Sequence, residues 1–173
     1  MTVFETARLT AAEVEEGDIP ELLGVHLSNQ AYLDLTEGSG GDPGAYDRGM
    51  LERDLTLAAM TPGRHATILR IRLDATCVGL LDWIDENPND GVPWIGLVMI
   101  HADHQRRGLA AEAIAGLAEH GRSHGWTRLR EGVIEGNDAG MALALAAGMR
   151  EVERRPHAIA AGEVELAVME LAL

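Results

Sequence analysis

The chain has 173 residues, of which 46% are hydrophobic and 24% are charged, a composition typical of one globular domain and not of a disordered chain. Its 28 acidic residues outnumber its 14 basic ones and give a formal net charge of -14. That charge repels phosphate polymers and argues against nucleic-acid binding, whereas cationic small molecules or basic peptides fit it better. We therefore expect a single domain over residues 1–173.

The cysteine count and the amino-terminal sequence predict where in the cell the protein is located. Cys77 is the one cysteine, so it cannot form an internal disulfide, and no group of His and Cys has metal-ligand spacing. The amino terminus lacks a basic segment followed by an apolar one, and no apolar run approaches the roughly 20 residues that span a bilayer. We expect a cytoplasmic protein with no bound metal and no membrane association.

The first third of the chain predicts a strand and two helices. Residues 3 to 14 alternate in part between apolar and polar side chains, as in a β-strand. Asp18 and Glu21 have the spacing of a capping box, and the apolar residues after Asp18 fall on one helical face. A Gly-rich loop from Gly38 to Gly44 precedes a second helical pattern, from about Ala45 to Met60.

The middle of the chain predicts three strands and then a helix. The strands cover about residues 65 to 73, 76 to 85 and 93 to 101, and their short connections favour antiparallel neighbours. From Leu109 the apolar residues follow helical spacing, and Gly125 lies just beyond the expected end of that helix.

The remainder of the chain predicts one strand, one helix and two final strands. A strand is expected at 129 to 134, a helix at 138 to 147, and two final strands near 149 to 155 and 163 to 172. The whole order predicts an α/β (α+β) fold with a mixed, mostly antiparallel central sheet of about seven strands flanked by about four helices.

The segment from His101 to Ala110 has the properties of an anion-binding loop. It connects a predicted strand to a predicted helix, where backbone N–H groups and the helix dipole favour negative charge. Gly108 and Ala110 let the backbone approach a ligand closely. Arg106 and Arg107 add positive charge to an otherwise acidic protein. These features predict a site for a phosphate or pyrophosphate group.

The loop also resembles the signature of a known superfamily. The pattern Gln105-x-x-Gly108-x-Ala110 is similar to the Gln/Arg-x-x-Gly-x-Gly/Ala loop of the GNAT superfamily, the acyl-CoA-dependent N-acyltransferases. Asn137, followed by Gly148, resembles the second signature of that superfamily, in which an Asn opens a helix that ends at a Gly-Phe pair. The order of elements agrees from residue 3 to 172, so the resemblance covers nearly the whole chain.

Two further segments resemble one branch of the superfamily. Glu5-Thr6-Ala7-Arg8-Leu9 and Gly108-Leu109-Ala110-Ala111-Glu112-Ala113 are similar to segments of the ribosomal-protein N-terminal acetyltransferases. That branch also contains enzymes that act on small amines and antibiotics, so the branch does not identify an acceptor.

The resemblance implies acetyl-CoA as cosubstrate and a direct attack of an amine on the thioester. Backbone groups from Val98 to Ile100 would pair with the pantetheine arm, and a backbone N–H near Ile100 would stabilise the oxyanion. The implied cofactor-binding residues are Val98, Met99, Ile100, Gln105, Arg106, Arg107, Gly108, Leu109, Ala110 and Asn137. Asn137 has a second role open to it, that of capping the next helix.

A base must deprotonate the amine before it attacks, and the sequence offers two candidates. Glu135 is the first, because it lies two residues before Asn137, near the place where the strands are expected to separate. His101 is the second, because it follows the central strand and has a suitable intrinsic pKa. Tyr32 could line the acceptor pocket or only pack against its neighbours, and Asp82, Asp85 and Glu86 could face a cationic acceptor or form a solvated edge. The acidic residues Asp34, Glu37 and Asp42 also favour a cationic acceptor.

The sequence departs from the family pattern at the general acid. Many relatives have a Tyr seven residues after the signature Asn, where this chain has Ala144. Some members of the ribosomal-protein branch have a Ser three residues after it, where this chain has Gly140. Water could protonate the leaving thiolate instead. The alternative is a catalytically weak or inactive acyl-CoA-binding sensor of the same fold.

The sequence also bears on one other enzyme class and on the oligomeric state. A dinucleotide-binding dehydrogenase would also use a Gly-containing strand, loop and helix, but the required Gly-x-Gly-x-x-Gly is absent from the 101–110 loop.

Members of the GNAT superfamily are often dimers, so the resemblance makes a homodimer one option for this chain.

Overall fold

An eight-stranded sheet with helices on both faces organises the chain. The structure is a computed structural model that describes residues 1–37, 46–160 and 162–173. The strands are β1 (Thr2–Glu5), β2 (Leu9–Glu13), β3 (Arg64–Ile71), β4 (Cys77–Ile84), β5 (Trp94–Ile100), β6 (Arg128–Ile134), β7 (Arg150–Ile159) and β8 (Gly162–Ala172). The helices are α1 (Ile19–Leu27), α2 (Gln30–Glu37), α3 (Arg48–Met60), α4 (Leu109–Ser123) and α5 (Asp138–Ala146).

The strands lie in the order β1, β2, β3, β4, β5, β6, β8, β7. Neighbouring strands are antiparallel, except that β5 and β6 run parallel. A parallel pair needs a crossover connection, and α4 provides it. The predicted mixed, mostly antiparallel α/β architecture is therefore confirmed.

Each face of the sheet has its own apolar layer. On one face, Leu81 and Trp83 of β4 pack with Ile114 and Leu117 of α4 and with Ala144 of α5. On the other face, the buried residues come from α1, α2, α3, β3 and β4, and they include Leu22, Leu33, Leu51, Ile68 and Leu80. Leu, Ile, Val, Ala and Met fill most of both layers, as expected for a chain with one Phe and two Tyr.

The structure adds one strand and one helix to the predicted set. The amino-terminal pattern folds into two strands instead of one, because Thr6 to Arg8 form a turn in which the Thr6 N–H donates to the Leu9 carbonyl at 2.8 Å. Helix α2 was not expected. Asn29 separates it from α1, since the Asn29 side chain donates to the Val25 carbonyl at 2.8 Å and replaces a helical hydrogen bond there.

The predicted capping box is wrong. Asp18 precedes α1 but makes no side-chain cap, because its backbone (φ -83°, ψ -15°) is already helical and directs the side chain away from the first N–H groups. The capping box instead joins Glu15 and Asp18 around a short 3₁₀ turn. Asp18 and Glu21 both pair with Arg70 of β3, so these carboxylates hold α1 on the sheet.

Helix α3 begins later than the predicted Ala45. Its first residue is Arg48, and the Asp47 side chain caps it by accepting from the Met50 N–H at 2.9 Å. Ala45 and the Gly-rich loop from Gly38 to Gly44 lie outside the described residues.

Candidate active site

The two parallel strands at the centre of the sheet separate soon after they meet. Between β5 and β6, only Trp94 with Arg130 and Ile95 with Glu131 are paired. Strand β5 remains paired with β4 as far as Ile100, and β6 remains paired with β8 as far as Ile134. The space between residues 96–100 and 132–134 is called the strand gap here. Its closed end is the pair Ile95 and Glu131, and its open end is beside Ile100.

Backbone groups of β5 point into the strand gap. The His101 N–H donates to Val78 of β4 at 2.9 Å. Since alternate residues direct their backbone groups to opposite neighbours, Ile100 and Val98 direct theirs away from β4 and toward the gap. Gly96 interrupts the pairing with β4 as a bulge, because Ile95 and Leu97 have partners there and Gly96 has none. The gap therefore offers an edge that an extended ligand can pair with.

The loop after β5 presents the amino terminus of α4 at the open end. Arg106 (φ 62°) and Gly108 (φ 76°) both adopt left-handed backbone, which is uncommon for a residue other than glycine. Gly108 is the N-cap and has no side chain with which to satisfy the first N–H groups of α4. Arg106 and Arg107 are exposed beside it. Uncapped N–H groups, the helix dipole and two guanidinium groups suit a pyrophosphate.

An ion pair holds this loop from the amino-terminal side of the sheet. Arg8 donates through Nη1 to the Arg107 carbonyl at 3.0 Å and through Nε to Glu112 at 2.6 Å. The Thr6 hydroxyl donates to the same carboxylate at 2.6 Å. Burial raises the pKa of Glu112, but the hydrogen bonds from Thr6 and Arg8 outweigh it and lower the pKa below its ordinary value. The two segments that resemble one branch of the superfamily thus contact each other directly.

A second set of contacts joins the loop to Asn29, in the connection between α1 and α2. The Gln105 amide donates to Asn29 Oδ1 at 2.7 Å and to the Ile100 carbonyl at 2.9 Å. Asn29 donates to the same carbonyl at 3.0 Å. The Gln105 side chain therefore positions the end of β5. Leu109 is buried in the core, so only its backbone faces the loop.

The two predicted bases lie at the open end. His101 is partly exposed, and its Nδ1 accepts from the Asp103 N–H at 3.2 Å, which caps a short 3₁₀ turn. Glu135 is exposed just beyond β6, where its N–H donates to the Glu165 carbonyl at 2.8 Å. A Cβ atom placed on Gly136 would lie 3.3 Å from Leu35, so α2 packs over this turn.

The two positions at which relatives carry a general acid, Gly140 and Ala144 in this chain, have structural roles here. Asn137 caps α5 by accepting from the Gly140 N–H at 2.9 Å. A Cβ on Gly140 would lie 2.5 Å from the Asn137 amide, so a side chain there would displace the cap. Ala144 is 0% exposed and belongs to the apolar layer under α4 and α5.

Three of the acidic residues predicted to face an acceptor already have hydrogen-bond partners. Asp82 receives both of its hydrogen bonds from Arg64 Nε at 3.1 Å, and burial, opposed by Arg64, raises its pKa. Asp85 receives hydrogen bonds from His65 and from the Trp83 indole. Asp34 is exposed and accepts from Gln30. Tyr32 is half-buried on α2, Glu86 follows β4, and Asp42 and the Glu37 side chain lie outside what is described.

A buried carboxyl group at the closed end of the strand gap was not predicted. Glu131 is 8% exposed, and its Oε2 has no hydrogen-bond partner among the described residues. Burial raises the pKa of Glu131 to about 7. A break in the apolar alternation of β6 was the available signal, since Glu131 stands between Leu129 and Val133 on the core-facing side of the strand.

Neither a cluster of metal ligands nor a membrane-spanning helix is found among the described residues. In residues 1–37, 46–160 and 162–173, no group of three or more His, Cys, Asp or Glu side chains is arranged to hold a metal ion. No helix within the same ranges combines the length and apolar character needed to cross a bilayer.

Solved structures with this fold come from several acetyltransferases. An acetyltransferase from Thermus thermophilus is 27% identical, with a TM-score of 0.76 and complete coverage of both chains. The enzyme from Salmonella typhimurium that modifies the N-terminal serine of ribosomal protein L7/L12 is 13% identical, with a TM-score of 0.81 and coverage of 97% and 96%. Spermidine N-acetyltransferase from Vibrio cholerae, solved with CoA and spermine, is 16% identical, with a TM-score of 0.72 and coverage of 96% for each chain.

A mixed sheet whose two parallel strands separate beside an uncapped helix amino terminus is the architecture expected of an acyl-CoA-dependent acyltransferase. The chain belongs to the acetyltransferase (GNAT) domain family, which matches residues 8–150. It is an acetyl-CoA-dependent N-acetyltransferase, and acetyl-CoA is its cosubstrate. None of the curated proteins matches the sequence.

Proposed function

We propose that this enzyme transfers the acetyl group directly to a primary amine of a small molecule or peptide, with the thioester held in the strand gap. The observation that carries the proposal is the continuity between the gap and the amino terminus of α4. The Val98 backbone and the Ile100 N–H face the gap, and the N–H groups from Gly108 to Ala110 follow at its open end. One extended ligand with an anionic end satisfies both regions.

The proposed roles of single residues follow from this arrangement. Arg106 and Arg107 lie close enough to the amino terminus of α4 to attract the pyrophosphate. The Ile100 N–H is the oxyanion donor, since Ile100 directs its backbone into the gap. Glu135 is the first base and His101 the second, because both lie at the open end, from which the amine arrives.

The acceptor is proposed to be cationic. The protein carries a net charge of -14, which attracts a protonated amine from solution. Two enzymes of similar fold act on spermidine and on the amino terminus of a ribosomal protein, and both of these acceptors are amines. The cytoplasmic location stays a prediction, and a homodimer stays one option that the family resemblance leaves open.

The cofactor site is tested by calorimetric titration of acetyl-CoA into wild type and Gly108→Glu. Wild type is expected to bind in the micromolar range, and the variant about 1000-fold more weakly, because a carboxylate and a strained backbone replace the anion site. Gly125→Glu is the matched control, since Gly125 has a similar φ of 83° at the far end of α4. Absence of wild-type binding, or equal binding by the two variants, would contradict the proposal.

The acceptor is tested by release of free CoA thiol with spermidine, spermine and a peptide that has an amino-terminal serine. Transfer to at least one of these amines is expected. If neutral or anionic amines alone are acetylated, the cationic acceptor is wrong.

A second function is favoured by Ala144 and Gly140, which leave the chain without the usual acid. An acyl-CoA-binding protein without transfer activity would bind acetyl-CoA in the titration and release no thiol with any amine in the screen.

A further inference from the structure

The end of β5 carries the proposed oxyanion donor but lacks a neighbouring strand on the side of the gap. Among the described residues, no strand pairs with this side of β5 after Ile95. On the other side β5 remains paired with β4, where the His101 N–H donates to the Val78 carbonyl at 2.9 Å. An unpaired strand end frays readily, so the direction of the Ile100 N–H has to be fixed by other groups.

Two side-chain amides take the place of the missing strand at the Ile100 carbonyl. Asn29 Nδ2 donates to this carbonyl at 3.0 Å, and Gln105 Nε2 donates to it at 2.9 Å. Gln105 Nε2 also donates to Asn29 Oδ1 at 2.7 Å, so the three groups form a closed ring. The contacts determine the orientation of both amides, because a carbonyl oxygen accepts hydrogen bonds and does not donate them.

The same contacts hold the Ile100 N–H. In an extended strand, the N–H and the carbonyl of one residue lie on the same side of the strand. Holding the Ile100 carbonyl on the side of the gap therefore holds the Ile100 N–H on that side as well. The protein itself satisfies the carbonyl, and the N–H is left to face a ligand.

Asn29 is held by the two helices that it connects. Its Nδ2 also donates to the Val25 carbonyl of α1 at 2.8 Å, and its own carbonyl accepts from the Tyr32 N–H of α2 at 3.0 Å. Beside it, the Ser28 hydroxyl accepts from the Ala102 N–H at 3.0 Å. The connection between α1 and α2 therefore contacts the chain at the end of β5 and just beyond it, and it fixes the position of Asn29.

We propose that Asn29 is a positioning residue of the transfer, which acts with Gln105 through the Ile100 carbonyl to direct the Ile100 N–H at the thioester oxygen. This inference rests on the proposed function, in which that N–H stabilises the oxyanion. The role of Asn29 is indirect, since its side chain contacts the carbonyl of Ile100 and not the N–H. A donor that is already directed at the oxygen does not have to be reoriented as negative charge develops there.

The test is an infrared difference spectrum of bound acetyl-CoA that is isotope-labelled at the thioester carbonyl. In wild type, the hydrogen bond from the Ile100 N–H is expected to shift the carbonyl band to lower wavenumber than in free acetyl-CoA. In Asn29→Ala and in Gln105→Ala, the band is expected to move back toward its position in free acetyl-CoA. Asn87→Ala is the matched control and is expected to match wild type, because Asn87 is a half-buried asparagine that holds the turn between β4 and β5.

The position of the band separates positioning from stability. A variant that is only less stable binds less acetyl-CoA, so its band is weaker but does not move. Gln105→Ala provides the test even where Asn29→Ala does not fold, since Gln105 is exposed and contacts the same carbonyl.

Turnover provides a second readout. With an acceptor from the screen, kcat of each single variant is expected to fall about 10- to 100-fold, and the acetyl-CoA dissociation constant is expected to change less than about threefold. The double variant is expected to lose little more than the slower single variant, because both side chains act through one carbonyl. If the two losses multiply instead, Asn29 and Gln105 act independently and the inference is wrong.

The infrared spectra also distinguish failure of this inference from failure of the proposed function. If wild type, Asn29→Ala and Gln105→Ala all shift the band equally, Asn29 is not a positioning residue, while the oxyanion donor stands. If wild type binds acetyl-CoA without shifting the band, the Ile100 N–H is not the oxyanion donor, and the proposed role of Ile100 is wrong together with this inference.

Discussion

The two ends of the strand gap differ in almost every physical property. At the open end, exposed Arg106 and Arg107 stand beside uncapped N–H groups, so the site is positive and in contact with water. At the closed end, Glu131 is aligned with the buried residues Ile95 and Met169 of the neighbouring strands, and burial raises its pKa to about 7. The open end suits a permanent anion, whereas the closed end buries a carboxyl group among apolar neighbours. One pair of strands therefore joins a solvated, positive end to an apolar end.

The largest expected effect concerns the closed end and folding stability. The pKa of Glu131 is raised in the folded state to about 7 from an ordinary value of 4.5, so the folded protein binds more protons between these values than the unfolded chain. The contribution of Glu131 to the free energy of unfolding is therefore fully present below pH 4.5 and is lost as pH rises through 7. Relative to Glu131→Gln, wild type is expected to lose about 3 kcal/mol across this window.

Denaturant unfolding of both proteins at several pH values measures this difference. Comparing the two proteins removes the titrations that they share. If the difference in the free energy of unfolding between the two proteins does not change with pH, Glu131 is not buried in its neutral form. The two ends of the strand gap would then not differ in the way described.

The next effect tests whether the base lies at the open end. Glu135→Gln is expected to lower kcat/KM about 100-fold at neutral pH, which corresponds to about 2.7 kcal/mol, because the protonated amine then has to lose its proton to water. His101→Asn is expected to have a smaller effect, since His101 is already engaged with the Asp103 N–H. Initial rates with the acceptor from the screen measure both effects. Unchanged rates in both variants would show that neither Glu135 nor His101 is the base.

The smallest effect concerns the ion pair that holds the open end. Arg8→Ala removes the contacts to Glu112 and to the Arg107 carbonyl, and Arg8 is about half exposed. We expect acetyl-CoA affinity to fall about fivefold, which is about 1 kcal/mol, with an unchanged response to pH. Arg122→Ala is the control, because Arg122 pairs with Glu119 on the same helix, away from the loop. Equal titration curves for the two variants would show that the loop keeps its shape without Arg8.

The open end could be predicted from the sequence because its chemistry is local. Gly108 and the two arginines lie within three consecutive residues, and their position between a strand and a helix follows from apolar spacing alone. The order of elements was predictable for the same reason. The capping of α1 was misassigned because Asp18 and Glu21 find a better partner in Arg70, which is distant in sequence.

The closed end could not be predicted because burial is a property of the whole fold. Glu131 becomes a buried carboxyl group, with no partner for Oε2 among the described residues, only when β8 lies on one side of β6 and β5 on the other. Helix α2 was missed for a similar reason. Asn29 ends α1 partly through its bond to the Ile100 carbonyl, a residue 71 positions away.

The contacts between Arg8 and Glu112 have a consequence for how the protein is made. They join residues 104 positions apart in the chain, and closing so long a loop costs conformational entropy that nearby contacts do not require. A ribosome therefore has to synthesise about two thirds of the polypeptide before the amino-terminal strands can reach α4.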